Sequence, residues 1–287
     1  MTLRELCEEG RTVLTEAGVS DAKFDARTLL LEAFGITINQ YIFFSESDLR
    51  EAFPDLRFSL NVPVERYREN IAKRAARIPL QQITGEATFM GLGFTVNEHT
   101  LAPRPDTETL TEAVLFDHRG ENLRILDLCT GTGCVGISLH VCGDFRDVTL
   151  SDISEEALRV ARANAARLAA DGNVRVVKSN LFEAFSGEHF DLVTANPPYI
   201  RDDVIGTLEP EVRDHEPRIA LSGGEDGLSF YRRIIAEASR YTDALYFEIG
   251  YDQAEDVTAL LSEAGWKKIR VRKDLGGRDR VVSAVYH

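Results

Sequence analysis

Short apolar runs and longer segments with apolar residues every three or four positions alternate from residue 123 to the C-terminus. The runs predict strands, and the longer segments predict amphipathic helices. The predicted strands are residues 123–128, 148–151, 174–177, 190–195, 244–249, 269–271 and 281–285. Helices are predicted at 133–141, at 154–170 with Ser154 as N-cap, after Gly227, and from Gln253. This alternation predicts an α/β fold with a doubly wound, mostly parallel sheet and right-handed crossovers.

Residues 1–77 show helical spacing without a strand pattern, which predicts a small helical domain. Ser20 is predicted to cap a helix that Gly35 ends, and Pro63 suits the first turn of a later helix. The first of these helices should bury one face, formed by Phe24, Leu29, Leu30 and Ala33. The second should bury Val64, Tyr67, Ile71 and Ala75.

Basic side chains ride on the helix that begins near Pro63: Arg66, Arg68, Lys73, Arg74 and Arg77. A solvated face is the ordinary explanation of such a set. A docking surface for a partner is the alternative, and the sequence leaves both open.

The stretch after Pro79 predicts a junction between two domains, because Pro79 disfavours helical geometry at the residue before it. Gly85, Gly91 and Gly93 separate short β-prone runs, which suggests a hairpin. The predicted domains are therefore residues 1–77 (helical), 78–100 (β-hairpin linker) and 101–287 (sheet domain). Asp106 or Thr107 should cap the next helix, and Arg104 is either part of a plain linker or lines a site.

Composition narrows the function classes. The 287 residues carry a net charge of −14, which counts against broad non-specific binding of nucleic acid. The apolar runs are too short to cross a membrane, and the N-terminus lacks the apolar core of a signal peptide. The 4 cysteines form no CxxC pair, and no histidines have metal-ligand spacing. We therefore expect a cytoplasmic protein with reduced thiols and no metal site.

The tetrapeptide Asn196-Pro197-Pro198-Tyr199 follows the fourth predicted strand. Proline cannot continue a central strand, so Asn196 should lie at the carboxyl edge of the sheet, where open α/β sheets bind ligands. The Asn196 side-chain oxygen and the Pro197 carbonyl are two acceptors suited to a planar NH2 group. The Tyr199 ring offers a flat face to stack on. This arrangement favours methylation of an amide or exocyclic amine over a plain proline-rich turn.

A glycine loop follows the first strand and suits a cofactor. Gly131 and Gly133 allow a tight turn and close backbone approach, and Asp152 ends the second strand, where a carboxylate can bind ribose hydroxyls. Together with Gly136 these glycines also match the dinucleotide pattern G-x-G-x-x-G. Asp127, immediately before the loop, would repel a pyrophosphate but could hold a cationic amino-acid group. S-adenosyl-L-methionine therefore fits better than a dinucleotide, which remains the rival cofactor.

The sequence resembles a class I methyltransferase dependent on S-adenosyl-L-methionine, and more closely the family that methylates glutamine in bacterial peptide chain release factors. The similarity runs from about Arg77 to Arg280. Its motifs begin at Pro79 (PLQQITGE), Pro103 (PRPDTE), Asp127 (DLCTGTG), Asn196 (NPPY), Glu216 (EPRIALSGGEDGL), Phe247 (FEIG, with Gln253) and Asp274 (DLGGRDR). Their order makes the resemblance specific, and it implies a seven-stranded Rossmann-like methyltransferase sheet.

The resemblance also implies residue roles. Asp152 should bind the ribose of the cofactor, while Asn180 and Leu181 should flank its adenine. The methionine part should be wrapped by the loop formed by Cys129, Thr130, Gly131, Thr132 and Gly133. Asn196 should contact both cofactor and substrate. The catalytic residues should be Asn196, Pro197 and Tyr199, and Pro198 should join them in binding the substrate. Three positions depart from many relatives: Cys129 replaces Gly, Asn180 replaces Asp, and Leu181 replaces an aromatic residue in some.

The expected reaction is N5-methylation of the glutamine in the Gly-Gly-Gln loop of class 1 release factors, by a monomer whose helical domain, residues 1–77, docks the release factor. The sequence presents no obvious general base, and we expect catalysis to depend on positioning. Glutamine methylation of a ribosomal protein is one alternative. Amino-methylation of a nucleic-acid base is another, although only 88 residues follow Tyr199, too few for a base-recognition domain. A cofactor-binding module without catalysis is the third.

Overall fold

The computed structural model describes residues 1–54, 59–170 and 172–287. Their contacts divide the chain into two units, Met1–Gly85 with Pro210–His215, and Glu86–Glu209 with Glu216–His287. The sequence predicted a domain boundary after residue 77, whereas the contacts place the first boundary after Gly85. Leu80–Thr84 is a helix of the first unit, whereas the antiparallel hairpin begins at Glu86. The predicted β-structure is thus absent from the first part of the 78–100 stretch.

The helices of the first unit up to residue 85 are α1 (Leu3–Glu16), α2 (Ala22–Phe34), α3 (Ile38–Phe44), α4 (Leu49–Ala52), α5 (Asn61–Ala75) and α6 (Leu80–Thr84). Gly35 ends α2 in the left-handed conformation at φ 63°, as predicted. The cap assigned to Ser20 is wrong, because Asp21 holds the N-cap position. Phe24 is 54% exposed, since the buried positions of α2 begin at Ala22 and Asp25 and Phe24 is out of phase with them.

The basic face of α5 is not uniformly solvated. Pro63 lies in its first turn, and Val64 and Tyr67 are buried, as predicted. Arg74, however, is only 6% exposed, and its Nε donates to Asp25 Oδ2 at 2.7 Å. The solvated alternative is therefore wrong for Arg74, because its guanidinium is buried against an acidic partner on α2.

The second unit contains the hairpin β1 (Glu86–Phe89) and β2 (Leu92–Thr95) and a seven-stranded sheet. The sheet strands are β3 (Arg124–Leu128), β4 (Asp147–Asp152), β5 (Val174–Lys178), β6 (Leu192–Ala195), β7 (Ala244–Glu248), β8 (Lys267–Lys273) and β9 (Asp279–Val285). The remaining helices are α7 (Pro105–Asp117), α8 (Cys134–Gly143), α9 (Glu155–Leu168), α10 (Asp202–Ile205), α11 (Pro210–His215, in the first unit), α12 (Arg218–Leu221), α13 (Ser229–Ala238) and α14 (Ala254–Glu263).

The strand order is β5-β4-β3-β6-β7-β9-β8. The first five strands in this order are parallel, and β9 runs antiparallel to both β7 and β8. This confirms the mostly parallel, doubly wound sheet. Apolar side chains cover both faces, since Leu192 and Val193, neighbours on β6, belong to separate buried clusters. The order reverses between β3 and β6, which is where such sheets bind ligands.

The first residues of α9 and α7 show how these two helices begin. The Ser154 side chain accepts from Ala157 N at the start of α9, which confirms the predicted cap. The caps predicted at Asp106 or Thr107 are wrong, because α7 has Arg104 at the N-cap and Pro105 in its first position. Proline suits that position because its φ is already helical. Thr107 is therefore not the N-cap residue and lies in the first turn of α7.

Within residues 1–54, 59–170 and 172–287, none of the helices combines the length and apolar character needed to span a bilayer. The same residues contain no group of three His, Cys, Asp or Glu side chains arranged to hold a metal ion.

Candidate active site

The tetrapeptide emerges from the middle of the sheet. β6 ends at Ala195, between β3 and β7, and Asn196 is the first residue beyond its carboxyl end. Asn196 is partly exposed, and its Nδ2 donates to Thr107 Oγ1 at 3.4 Å. Pro197 and Pro198 are buried. The predicted position of Asn196 at the edge of the sheet is what the structure shows.

Tyr199 is held at both ends. Its hydroxyl donates to Glu248 Oε1 at 3.1 Å, and its carbonyl accepts from Gln253 Nε2 at 3.0 Å. Gln253 is itself fixed, since its Oε1 accepts from Gly250 N at 2.9 Å. Burial and the neighbouring Glu248 carboxyl raise the pKa of Tyr199 above its usual range, so the hydroxyl keeps its proton. Tyr199 therefore acts as a hydrogen-bond donor toward Glu248.

A glycine-rich segment after α12 fits closely against the backbone of the tetrapeptide. Gly223 N donates to Ile200 O at 2.8 Å. A Cβ on Gly223 would lie 2.8 Å from Tyr199 Cα, and one on Gly227 would lie 2.5 Å from Tyr199 O. Only glycine leaves room for this approach. The Glu216 motif therefore supports the shape of the tetrapeptide.

The predicted cofactor loop has a strongly turned backbone. Cys129, Gly131 and Gly133 have φ values of 55°, 55° and 84°. Glycine adopts these values freely, whereas a cysteine at position 129 is sterically strained because its Cβ approaches the backbone. Cys129 keeps the left-handed backbone that the turn requires, at this steric cost.

Asp127 stabilises this loop through hydrogen bonds. It is 1% exposed, and its oxygens accept from the hydroxyls of Thr130 and Thr194 and from Gly136 N. Burial raises its pKa to about 6, although these three hydrogen bonds oppose the increase. Asp127 also lines the cavity described below, so it adds negative charge to the wall while it orders the loop.

Asp152 ends β4 as predicted. Its Oδ2 accepts from Gly131 N at 3.0 Å and its Oδ1 accepts from Ser154 N at 2.9 Å. Burial raises its pKa, and the backbone donors limit that rise. Each carboxylate oxygen can accept more than one hydrogen bond, so both keep capacity for a pair of hydroxyls.

Asn180 and Leu181 follow β5. Asn180 Oδ1 accepts from Arg233 Nη2 at 2.8 Å, and Asn180 Nδ2 donates to Glu183 Oε1 at 2.6 Å. Leu181 has a positive φ of 52°, and its carbonyl accepts from Ser179 Oγ at 2.7 Å. The Asn180 side chain and the Leu181 backbone are thus fixed by their neighbours.

One cavity brings most of these residues together. Its wall includes the predicted residues Cys129, Thr130, Gly131, Thr132, Asp152, Asn180, Leu181, Asn196 and Pro198. Gly133, Pro197 and Tyr199, all in the described part of the chain, are not part of this wall. The site roles predicted for these residues stay predictions, but their convergence on one cavity is a property of the fold.

The cavity wall also contains residues that sequence reasoning missed or left open. Arg104 lines it, and its Nη2 contacts Glu216 Oε1 at 2.7 Å. Phe230 and Arg233 on α13 also line it, although no local pattern marks them. Thr107 lines it too, but the sequence suggested only a capping role.

Glu248 is the most significant residue missed. It ends β7, is 3% exposed and lies next to the tetrapeptide. Burial raises its pKa to about 7, despite opposing interactions with Thr107, Arg280 and Tyr199. The signal available was its place in the Phe247 motif at the end of a strand adjoining β6.

Comparisons with known proteins agree with this architecture. Residues 106–208 match the model of the methyltransferase small domain, and residues 5–85 match that of the PrmC N-terminal domain. A release factor glutamine methyltransferase of Agrobacterium fabrum is 39% identical over 282 residues, covering 95% of this chain and 93% of the relative. One of Deinococcus radiodurans is 38% identical over 288 residues, covering 99% and 98%.

Solved structures share the fold at low sequence identity. The hMettl16 catalytic domain in complex with the MAT2A 3′UTR hairpin 1 has a TM-score of 0.58 and 16% identity, with 76% of this chain and 81% of that chain covered. The N-terminal domain of human METTL16 in complex with SAH has a TM-score of 0.52 and 15% identity, with 77% and 84% covered.

Proposed function

The chain belongs to the release factor glutamine methyltransferase family, and from this premise we propose that it methylates N5 of the glutamine in the Gly-Gly-Gln loop of class 1 release factors. The methyl donor is S-adenosyl-L-methionine. The observation that carries the proposal is that Asn196 borders the same cavity as the glycine loop and Asp152. A methyl acceptor held at Asn196 and a donor held at the loop would therefore meet in one space.

The cavity suits that donor chemically. S-adenosyl-L-methionine supplies an electrophilic methyl group and leaves as S-adenosyl-L-homocysteine. Asp152 has free acceptor capacity for ribose hydroxyls, and Asp127 adds a second carboxylate to the wall. These carboxylates favour a ligand that carries ammonium and sulfonium charges. The left-handed turn at Cys129 and Gly131 lets the backbone approach the methionine part.

The chain's own contribution is to orient the substrate amide. Asn196 Oδ1 and the Pro197 carbonyl accept from the NH2 group, which leaves the nitrogen lone pair directed at the methyl carbon. Tyr199 is fixed by Glu248 and Gln253 and stiffens the tetrapeptide. Orientation of this kind can supply on the order of 7–11 kcal/mol of the barrier. The proton leaves the methylated nitrogen to water.

We expect the enzyme to act as a monomer in the cytoplasm, where release factors act. The alternatives keep the same chemistry on other acceptors. A ribosomal protein glutamine has the same amide, and a nucleic-acid base has a similar planar NH2. The family relatives are named for release factors, which supports the first substrate.

The direct test is incubation of the purified protein with S-adenosyl-L-methionine and an unmodified release factor, followed by tandem mass spectrometry. One methyl group on the Gly-Gly-Gln glutamine is expected. A release factor with that glutamine replaced by asparagine is the matched substrate control and should stay unlabelled. Labelling of a ribosomal protein or of RNA in place of the release factor would refute the proposed substrate.

Asn196→Ala tests the site assignment. The variant should lose at least a hundredfold in kcat, because the amide loses an acceptor that orients it. Asn122→Ala is the control, since Asn122 is exposed and precedes β3, at the opposite end of the strand from the site. Asn196→Ala with near wild-type turnover would show that the tetrapeptide does not hold the amide.

A further inference from the structure

The structure links Glu248 to the tetrapeptide from two sides, and we propose that its carboxylate is a positioning residue that fixes which atom of the Asn196 amide faces the substrate nitrogen. This inference rests on the proposed function. Glu248 does not line the cavity, whereas Thr107 and Asn196 do. It would therefore act through its neighbours.

The first link runs through Thr107. Asn196 Nδ2 donates to Thr107 Oγ1 at 3.4 Å, so the single hydroxyl proton of Thr107 must point elsewhere. Thr107 is among the groups that lower the pKa of Glu248 and so favour its ionised form. Glu248 Oε2 is buried and accepts no hydrogen bond from the described residues. The carboxylate is thus available to receive the Thr107 proton.

The direction of the hydrogen bonds along Asn196, Thr107 and Glu248 decides which atom of the Asn196 amide faces the cavity. With Nδ2 on Thr107, Asn196 Oδ1 remains free to accept a hydrogen bond at the cavity. Reversal of the Thr107 hydroxyl would make Thr107 a donor toward Asn196. The Asn196 amide would then turn its NH2 toward the substrate NH2, and two donors would face each other. An ionised Glu248 prevents this reversal, because a carboxylate only accepts.

The second link runs through Tyr199, whose hydroxyl donates to Glu248 Oε1 at 3.1 Å. The same carboxylate thus accepts from the tetrapeptide at Oε1, and its unpartnered Oε2 remains to accept from Thr107 on α7. Tyr231 on α13 adds a donor to the Glu248 backbone carbonyl at 2.8 Å. These bonds fix the residue at the junction of three elements.

The charged groups that face Glu248 balance one another. Arg280 on β9 attracts the carboxylate, and Asp106 on α7 repels it. Arg280 is itself paired with Asp274 at 3.2 Å and with Asp106 at 3.1 Å. Much of its charge is thus already compensated, and burial dominates, which raises the pKa of Glu248 to about 7.

The positioning role predicts a pH dependence with a definite sign. Below about pH 7 Glu248 gains a proton and becomes a donor toward Thr107. The hydroxyl chain can then reverse and Asn196 loses its preferred orientation. We expect kcat to rise with pH through about 7 and to level off above it. An amide substrate has no group that titrates there.

The test measures kcat, KM for the release factor and the Kd of S-adenosyl-L-methionine from pH 6 to 9. Glu248→Gln should lower kcat at pH 8 roughly ten- to a hundredfold, leave the cofactor Kd within about twofold and remove the rise near pH 7. Thr107→Val should do the same, whereas Thr107→Ser should recover most of the kcat lost in Thr107→Val. Asp117→Asn is the control at the other end of α7, where Asp117 pairs with Arg272 at 2.6 Å; it should keep the wild-type profile.

Two results separate this inference from the proposed function. Transfer by the wild-type protein combined with an unchanged pH profile in Glu248→Gln would overturn the positioning role alone. Absence of transfer by the wild-type protein would refute both. If Glu248→Gln fails to bind cofactor, Thr107→Val decides the matter, and a wild-type kcat in that variant would overturn the inference.

Discussion

Replacing Glu211 with glutamine tests the buried ion-pair cluster of the helical unit. Glu211 lies in α11, and its Oε1 accepts from Arg74 Nη2 at 2.7 Å and from Arg77 Nε at 2.8 Å. Its Oε2 accepts from Arg77 Nη2 at 2.5 Å. The Glu211 side chain is 16% exposed and that of Arg74 is 7% exposed. The carboxylate thus joins α11 to the end of α5 with little screening by water.

The magnitude follows from the pKa of Glu211. Burial alone would raise it, but the hydrogen bonds from Arg77 and Arg74 outweigh burial and lower the pKa from 4.5 to about 2. At 1.36 kcal/mol per pKa unit, this difference corresponds to about 3 kcal/mol of folding free energy. A lowered carboxyl pKa stabilises the fold above the unfolded pKa and loses that effect as pH falls through the folded value. The contribution should be complete at pH 7 and roughly 1.4 kcal/mol at pH 3.

Urea denaturation followed by far-UV circular dichroism measures this effect in the full-length protein, with fluorescence of the single Trp266 reporting on the sheet unit. Glu211→Gln should lower the unfolding free energy of the helical transition by about 2–3 kcal/mol at pH 7, since Arg74 keeps Asp25 as a partner. Glu9→Gln is the matched control, because the Glu9 pair with Arg68 is exposed at 46% and 52%. It should cost less than about 1 kcal/mol.

Equal losses in Glu211→Gln and Glu9→Gln would refute the reasoning, because burial would then make no difference to the pair. A loss in Glu211→Gln that stays the same size at pH 3 would also refute it, since the lowered pKa requires the loss to shrink.

Two further predictions concern the loop and the helical unit. Cys129→Gly should keep the unfolding free energy within about 1 kcal/mol of the wild type and the cofactor affinity within about threefold. Cys129→Val should be less stable than the wild type and the glycine variant, because a β-branched residue resists the observed φ of 55°. A valine variant as stable as the glycine variant would contradict the strained turn. The helical unit is expected to dock the release factor, and Ile42 and Phe43 on α3, which are 65% and 79% exposed, are apolar side chains available for that contact. Phe43→Ser should raise KM for the release factor at least threefold, while Phe116→Ser, 83% exposed on α7, should not; equal KM values in both variants would exclude this docking surface.

Much of the fold was predictable because its signals are local. A strand that ends at Asn196 is marked by the prolines that follow it, and Gly35 marks the end of α2. The mostly parallel order follows from alternating strands and helices. The buried state of Arg74 was not predictable, because its partners Asp25 and Glu211 lie 49 and 137 residues away in the sequence.

The same distinction applies to the site. Asp152 and the glycines of the loop lie beside one another through a single strand–helix–strand unit, so their proximity could be predicted from topology. The contact between Thr107 and Asn196 spans 89 residues and depends on how α7 packs against the sheet. No periodicity encodes that packing. The sequence therefore indicated which residues carry chemistry, but not which residues hold them in place.

The motifs behind the family resemblance gain physical roles from this packing. The Pro103 motif supplies Thr107 to the cavity wall, and the Glu216 motif supplies glycines that leave room for the Tyr199 backbone. The Phe247 motif supplies Glu248, and the Asp274 motif supplies Arg280, whose charge acts on that carboxyl. All four act on the tetrapeptide, and the first two also contribute residues to the cavity wall, with Thr107 from the Pro103 motif and Ile219 and Ala220 from the Glu216 motif. An enzyme that depends on orientation without a general base needs such supports, because each freedom left to the acceptor amide lowers the fraction of bound substrate that can react.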